Sequence, residues 1–94
     1  MRFVWDEEKS RGNRTKHQVS FETAALVFED PFAISVQDRV VEGEQRWQTL
    51  GRLGGAVVLL VAHTYEEEDG EEVIRIISAR KATPCERMFY EQAQ

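Results

Sequence analysis

The sequence has few of the residues that build disulfides and metal centres. Cys85 is the single cysteine among 94 residues, and His17 and His63 are the only histidines. One cysteine cannot form an internal disulfide, and the two histidines show neither HExxH-type nor Cys/His zinc spacing. We therefore expect a fold without disulfides, no protein-bound metal ion, and a chemistry that needs no cofactor.

Long apolar segments are also missing. The longest uninterrupted apolar run, 56–62, is far shorter than the ~20 residues that a membrane span requires. The first residues include Asp6, Glu7 and Glu8, and they lack the apolar core of a signal peptide. The sequence predicts a cytoplasmic protein without a membrane partner, folded as a single domain over 1–94.

Positive charge is scarce overall but unevenly distributed. The formal net charge is −5, and six of the acidic residues lie in 66–72; removing those six negative charges leaves +1. Both ends of the chain, 1–17 and 75–94, are rich in lysine and arginine. This asymmetry predicts a cationic surface with a solvated acidic hairpin tip, although a surface of mixed signs that only confers solubility is the alternative.

The spacing of apolar residues changes from helical to strand-like along the chain. After a capping Ser20, the residues Phe21, Ala24, Ala25 and Phe28 follow helical spacing. The predicted order is a strand at 3–5, helices at 6–15 and 20–30, strands at 32–37, 46–50, 57–61 and 73–78, and a helix from 83. Turns are predicted at 38–43, 51–55 and 69–70, so the strands pair as antiparallel neighbours, with the helices on one face of an α+β fold.

Short motifs cover nearly the whole chain in a fixed order. They are Phe3–Lys9 (FVWDEEK), Lys16–Glu22 (KHQVSFE), Phe28–Pro31 (FEDP), Gly43–Trp47 (GEQRW), Val61–Thr64 (VAHT), Ile74–Thr83 (IRIISARKAT) and Glu86–Arg87 with Tyr90–Glu91. Together they resemble the motifs of BrnT toxins. The main departure is Gln18, which stands where that family usually has glycine.

This resemblance implies a RelE-like fold and a toxic activity. The fold would be an antiparallel sheet with two N-terminal helices packed on one face and a C-terminal helix, in the order β-α-α-β-β-β-β-α. The activity would be RNA cleavage that arrests growth, in a type II toxin–antitoxin pair with a BrnA-like antitoxin. A non-catalytic module that binds nucleic acid or a partner and blocks translation is the alternative function.

Metal-independent RNA cleavage needs a base, an acid and cations that stabilise the phosphate. Imidazole suits acid or base work near neutral pH, so His17 and His63 are candidates. Arg80 is the main candidate for binding the scissile phosphate, and Lys16 is a second phosphate contact. The structural alternatives are a solvated Lys16, a helix-capping His17, a core His63 and a salt bridge between Arg80 and an acid such as Glu86.

Further side chains are candidates for binding the rest of the RNA. Arg46 and Trp47 are adjacent, so a regular strand sends them to opposite faces, and Arg75 and Arg80 are five residues apart with the same consequence. Aromatic rings can stack on unpaired bases, but they more often belong to the core. The predicted RNA contacts are Arg46, Lys81, Arg75, Trp47 and Tyr90.

The antitoxin is expected to supply what this chain lacks for DNA binding. The chain has a net charge of −5 and no helix-turn-helix pattern. We expect promoter DNA to be bound only by the complex, which forms a heterotetramer through dimerisation of the antitoxin. An acidic antitoxin segment would dock on the basic surface near 9–16 and 75–87.

Overall fold

The computed structural model describes residues 1–94, and its elements follow the order predicted from the sequence. Two helices come between the first strand and four successive strands, and a third helix follows the last strand. The bounds are β1 (Arg2–Val4), α1 (Glu7–His17), α2 (Phe21–Ala25), a 3₁₀ turn (Leu26–Glu29), β2 (Ile34–Val41), β3 (Glu44–Gly54), β4 (Val57–Glu68), β5 (Glu71–Lys81) and α3 (Pro84–Gln92). No helix combines the length and the apolar content that crossing a membrane demands.

The strands form one sheet in the order β1-β5-β4-β3-β2. The last four strands pair as antiparallel neighbours, which confirms the predicted α+β class. The first strand lies parallel to β5, with Arg2 opposite Val73 and Val4 opposite Arg75. The sheet is therefore mixed, because its N-terminal strand joins an edge far away in the sequence.

The hairpins are tighter and the strands longer than the sequence predicted. The turn predicted at 38–43 is reduced to Glu42 and Gly43, both of which have positive φ angles. The turn predicted at 51–55 is wrong in extent, since Gly51 lies within β3 and the chain reverses only after Gly54. The turn at Asp69 and Gly70 is confirmed. Two-residue turns with positive φ match the twist of the flanking strands.

The core has one apolar cluster on each face of the sheet. Leu59 belongs to the cluster that includes Phe21 and Ala24 of α2, whereas Leu60 belongs to the cluster that includes Tyr90 of α3. Successive residues of a strand point to opposite faces, so α3 lies on the face opposite α1 and α2. The expectation that all helices lie on one face is therefore wrong for α3. We refer to the two sides as the α1–α2 face and the α3 face.

Asn13 attaches α1 to the free edge of β5. Its Nδ2 donates to the carbonyl oxygens of Val19 at 2.7 Å and Ala79 at 2.8 Å, and its Oδ1 accepts from Ala79 N–H at 3.2 Å. β1 pairs with β5 only as far as Arg75. The buried Asn13 amide therefore satisfies backbone groups of Ala79 that a neighbouring strand would otherwise bind.

Asp30 joins the end of the 3₁₀ turn to the other side of the sheet. Its carboxylate accepts hydrogen bonds from the backbone N–H groups of Arg52 at 2.7 Å and Phe32 at 2.9 Å, and from the Tyr90 hydroxyl. Burial alone raises the pKa of this carboxyl, but the hydrogen bonds outweigh burial and keep the pKa below its ordinary value. Asp30 thus holds the 3₁₀ turn, β3 and α3 together.

We expect Gly51→Ala to destabilise the protein and Gly54→Ala to have little effect. A Cβ at Gly51 would lie 2.4 Å from Val27 Cγ1 and 3.0 Å from the Val27 carbonyl oxygen, whereas a Cβ at Gly54 meets nothing within 4 Å. Such overpacking costs roughly 1–3 kcal/mol of unfolding free energy. Urea titration of both variants measures the difference, and equal stability of the two would contradict the close approach of Val27 to β3.

Candidate RNA-binding face

A β-bulge brings Arg75 and Arg80 to the same face of the sheet. In the β4–β5 pairing, Arg75 lies opposite Thr64 and Arg80 lies opposite Leu60. Thr64 and Leu60 are four residues apart on a regular strand, so they share a face, and their partners share it too. The register shift leaves Ile77 as the extra residue of β5. The prediction that Arg75 and Arg80 point to opposite faces is therefore wrong.

Arg46 joins Arg75 on this face through a shared carboxylate. Glu44 Oε1 accepts a hydrogen bond from Arg75 Nη2 and lies 3.4 Å from Arg46 Nε. The hydrogen bond from Arg75 lowers the pKa of the Glu44 carboxyl, and the nearby positive charges of Arg75 and Arg46 add to this effect. We call these three residues, Glu44, Arg46 and Arg75, the arginine cluster.

Arg80 forms a bidentate ion pair with the first turn of α3. Its Nη1 and Nη2 donate to Glu86 Oε1 at 2.8 Å and Glu86 Oε2 at 3.0 Å. Glu86 also completes the capping box of α3, in which its side chain accepts from Thr83 N–H at 2.9 Å. The hydrogen bonds from Arg80 lower the pKa of Glu86 to about 2, and the same contact raises the pKa of Arg80. Arg80 therefore holds the first turn of α3 against the end of β5. Lys81 next to it is exposed, and because it lies opposite Leu59 it points to the α1–α2 face.

His63 lies on the α1–α2 face and is completely buried. It pairs with Trp47 across β3 and β4, and its ring meets the edges of Phe28 and Tyr65 at centroid distances of 4.9 and 5.0 Å. Its Nε2 is 2.6 Å from Thr49 Oγ1. Burial lowers its pKa to about 4, against a smaller opposing effect of the Thr64 carbonyl, so the ring is neutral at pH 7. Direct contact between this imidazole and RNA is blocked in this structure.

Lys16 and His17 are the last two residues of α1, whereas the arginine cluster belongs to β3 and β5. The Lys16 side chain is exposed and His17 is partly buried. Neither forms an ion pair or a side-chain hydrogen bond with Arg46, Arg75 or Arg80. The helix ends at Gln18, whose left-handed φ of 60° explains why glycine suits this position in the BrnT motif.

The two aromatic candidates occupy packing positions. Trp47 is partly buried on the α1–α2 face, where it meets the Tyr65 ring at a centroid distance of 5.1 Å. Tyr90 is only 1% exposed, with its hydroxyl on Asp30 and the Arg52 guanidinium 5.7 Å from its ring centroid. Neither ring is presented beside the arginine cluster.

Sequence reasoning missed the role of Glu44 on the α3 face, where it contacts two of the predicted RNA-binding arginines. The GEQRW motif contained a signal for it, because Glu44 and Arg46 are two residues apart. The salt bridge between Arg80 and Glu86, which was the structural alternative for Arg80, is present. The chain brings no three His, Cys, Asp or Glu side chains together in a metal-binding arrangement.

The chain is a small α+β protein whose α3 face carries Arg46, Arg75 and Arg80. Over residues 5–86 the chain matches the family model described as "Ribonuclease toxin, BrnT, of type II toxin-antitoxin system". The chain belongs to the BrnT family. It is therefore the toxin of a type II toxin–antitoxin pair, with ribonuclease activity as the family's function and an antitoxin as its partner.

A solved structure of the same fold comes from Brucella abortus. The ribonuclease toxin BrnT of that organism, in a crystal structure at 1.1 Å resolution, is 22% identical to this chain with a TM-score of 0.60. The similarity covers 88% of this chain and 97% of that chain, and it shows that the two share a fold. No curated protein sequence matches the chain.

We expect the protein to lose stability as the pH falls from about 6.5 to 4. The pKa of His63 is about 4 in the folded protein, against an ordinary value of 6.5, so the unfolded chain binds more protons in this interval. The loss reaches about 3 kcal/mol once both states are protonated.

Urea unfolding at several pH values measures this dependence, and His17→Gln is the matched control. The control should keep the same pH dependence between pH 6.5 and 5, where carboxyl groups contribute little. A flat unfolding free energy in that interval would show that His63 is not held neutral by burial.

Proposed function

We propose that this toxin cleaves single-stranded or messenger RNA on the α3 face of its sheet, in the cytoplasm and without a metal ion. The observation that carries the proposal is the alignment of Arg46, Arg75 and Arg80 on that face, which the bulge in β5 produces. Arginine donates two parallel hydrogen bonds to phosphate oxygens, so a row of arginines suits a chain of phosphates.

The proposed reaction is an internal transesterification. A base removes the proton of a ribose 2′-hydroxyl, the 2′-oxygen attacks the adjacent phosphorus, and the bond from phosphorus to the 5′-oxygen breaks. An acid protonates the departing 5′-oxygen, so the products are a 2′,3′-cyclic phosphate and a 5′-hydroxyl. Positive charges stabilise the phosphorane-like transition state.

Within this reaction we assign Arg80 to the scissile phosphate and Arg46 and Arg75 to the flanking RNA. Lys81, predicted as a further contact, lies opposite Leu59 and so points to the other face. Arg80 has five N–H donors, and its contact with Glu86 uses part of them. Of the two histidines, His17 is the one with solvent access and is our acid–base candidate, with Lys16 as a second phosphate contact. His63 supports the sheet from the buried side.

We further propose a BrnA-like antitoxin that covers this surface. An acidic segment of the antitoxin would lie over the basic residues near 9–16 and 75–87 and exclude RNA. Dimerisation of the antitoxin would give a heterotetramer, and the complex would bind promoter DNA through the antitoxin. Two neighbouring apolar residues of α3, Met88 and Phe89, are exposed, which supports a protein partner next to the proposed RNA site.

Arg80→Ala should lower RNA cleavage by roughly 10²- to 10³-fold, as expected when a group that stabilises transition-state charge is removed. Glu86→Gln is the matched control, because it weakens the same ion pair while leaving the guanidinium and the helix cap in place. We expect the control to retain cleavage within a few-fold. Primer extension on RNA from induced cells, and cleavage of purified RNA with and without EDTA, provide the measurements.

The outcomes separate three explanations. An equal loss of RNA cleavage in Arg80→Ala and Glu86→Gln would show that Arg80 acts only as a structural residue that holds α3. Loss of wild-type activity with EDTA would overturn the metal-independent reaction. Translation arrest with intact transcripts would support a toxin that binds and blocks instead of cleaving.

The antitoxin should inhibit cleavage at a stoichiometric ratio and bind less tightly as salt increases. Both effects follow if an acidic segment covers the basic surface, because ionic contacts steer association and are screened by salt. Titrating purified toxin with the product of the adjacent gene, at two salt concentrations, measures inhibition and affinity together. Undiminished cleavage in the saturated complex would place the antitoxin on another surface.

A further inference from the structure

Two buried polar atoms of the protein lack a hydrogen-bond partner, and both belong to the surroundings of the arginine cluster. They are Arg46 Nε, which has only the ion-pair contact with Glu44 Oε1 at 3.4 Å, and Thr64 Oγ1. Thr64 is completely buried and lies directly opposite Arg75 in the β4–β5 pairing, so it shares the α3 face with that arginine. A buried polar atom without a hydrogen bond is costly, and a bound ion that supplies the missing contact is one explanation for it.

A cavity of about 100 Å³ extends from this cluster to the edge of the sheet. Its lining includes Arg46 and Arg75 together with Lys9 of α1, and the bulged Ile77 forms part of its wall. β1 pairs with β5 only as far as Arg75, and Asn13 binds the edge again at Ala79. The cavity therefore lies beside the part of the β5 edge between Arg75 and Ala79. This part is paired neither with β1 nor with the Asn13 amide.

Lys9 has no carboxylate partner in this arrangement. It forms no ion pair, although Asp6 lies in the same cavity wall. The Asp6 carboxylate is instead engaged by the backbone N–H groups of Glu8 and Lys9 as the N-cap of α1. The cavity thus combines an unpaired ammonium with two guanidinium groups that share a single carboxylate, Glu44.

We propose that this cavity is a second phosphate subsite, in which Lys9, Arg46 and Arg75 bind an RNA phosphate other than the scissile one. The inference rests on the proposed function, since it adds a binding site to the same RNA-cleaving face. At about 30 Å³ per water, the cavity has the room of about three waters, which suits one phosphate group. It also gives a function to the lysine of the FVWDEEK motif, which the catalytic assignment leaves unused.

The distance along β5 separates the two phosphate sites. With a rise of ~3.3 Å per residue, the backbones of Arg75 and Arg80 are roughly 15 Å apart. Arg75 is held by Glu44 and Arg80 by Glu86, so the two guanidinium groups have separate anchors and are placed for separate phosphates. The subsite therefore fixes the direction and register in which an RNA strand crosses the α3 face.

A single-stranded oligonucleotide with 2′-O-methyl riboses tests the subsite in the intact protein. This probe keeps every phosphate but lacks the nucleophile, so it is not cleaved. Lys9→Gln should weaken binding roughly 3- to 10-fold and reduce the slope of log K against log salt by about 0.7, the value for one lost phosphate contact on a single strand. Lys9→Arg should keep the wild-type slope.

Arg2→Gln is the control, because Arg2 is exposed, pairs with Glu68 and Glu71 at the acidic hairpin and lies outside both the cavity and the basic surface. It should leave the salt slope unchanged. If wild-type toxin cleaves RNA but Lys9→Gln and Arg2→Gln have the same affinity and slope, the subsite is wrong while the proposed function stands. If Lys9→Gln weakens only antitoxin binding, the cavity binds a protein carboxylate and the proposal is overturned. Absence of both cleavage and probe binding in the wild type would reject the proposed function itself.

Discussion

One extra residue in β5 determines which side chains lie on the α3 face. Ile77 has no counterpart on β4, so the alternation of faces is shifted by one position between Arg75 and Arg80. Without the bulge, one of these arginines would enter the apolar core beneath α1 and α2, where an unpaired guanidinium is costly. With it, Ile74, Ile76 and Ala79 remain in the core while both arginines lie on the α3 face.

The bulge is held by contacts on its open side. Asn13 binds the backbone of Ala79 just beyond the bulge, and it thereby couples the position of α1 to the register of β5. The α3 helix is held from two directions, by Tyr90 on Asp30 and by Glu86 on Arg80. These hydrogen bonds and ion pairs therefore fix the positions of α1 and α3 relative to the sheet. The two apolar clusters alone would not fix them.

Much of the fold follows from local sequence patterns. The caps at Asp6, Ser20 and Thr83 are predictable because each places a side-chain oxygen ahead of a helix, and the structure shows the capping hydrogen bond at all three. The order of elements likewise follows from apolar spacing. The parallel pairing of β1 with β5 was not predictable, since it joins segments about seventy residues apart through backbone hydrogen bonds that carry no sequence signal.

The site was harder to predict than the fold. Period-two alternation assumes a regular strand, and nothing in the segment IRIIS marks which residue is left without a partner. The strand predicted at 57–61 in fact continues to Glu68, so His63 lies within β4 and not at its end, and Phe28 and Tyr65 enclose its ring. Lys9 lies on a polar helix, and only the three-dimensional arrangement places it beside arginines from two strands.

The central claim is that RNA binds to the α3 face. The most direct measurement is an NMR titration of the arginine Nε–H resonances with the 2′-O-methyl oligonucleotide, because these groups report phosphate contact one side chain at a time. Our account predicts shifts for Arg46, Arg75 and Arg80, and unchanged resonances for Arg2, which pairs with Glu68 and Glu71 at the acidic hairpin. Shifts confined to arginines outside the α3 face would contradict it.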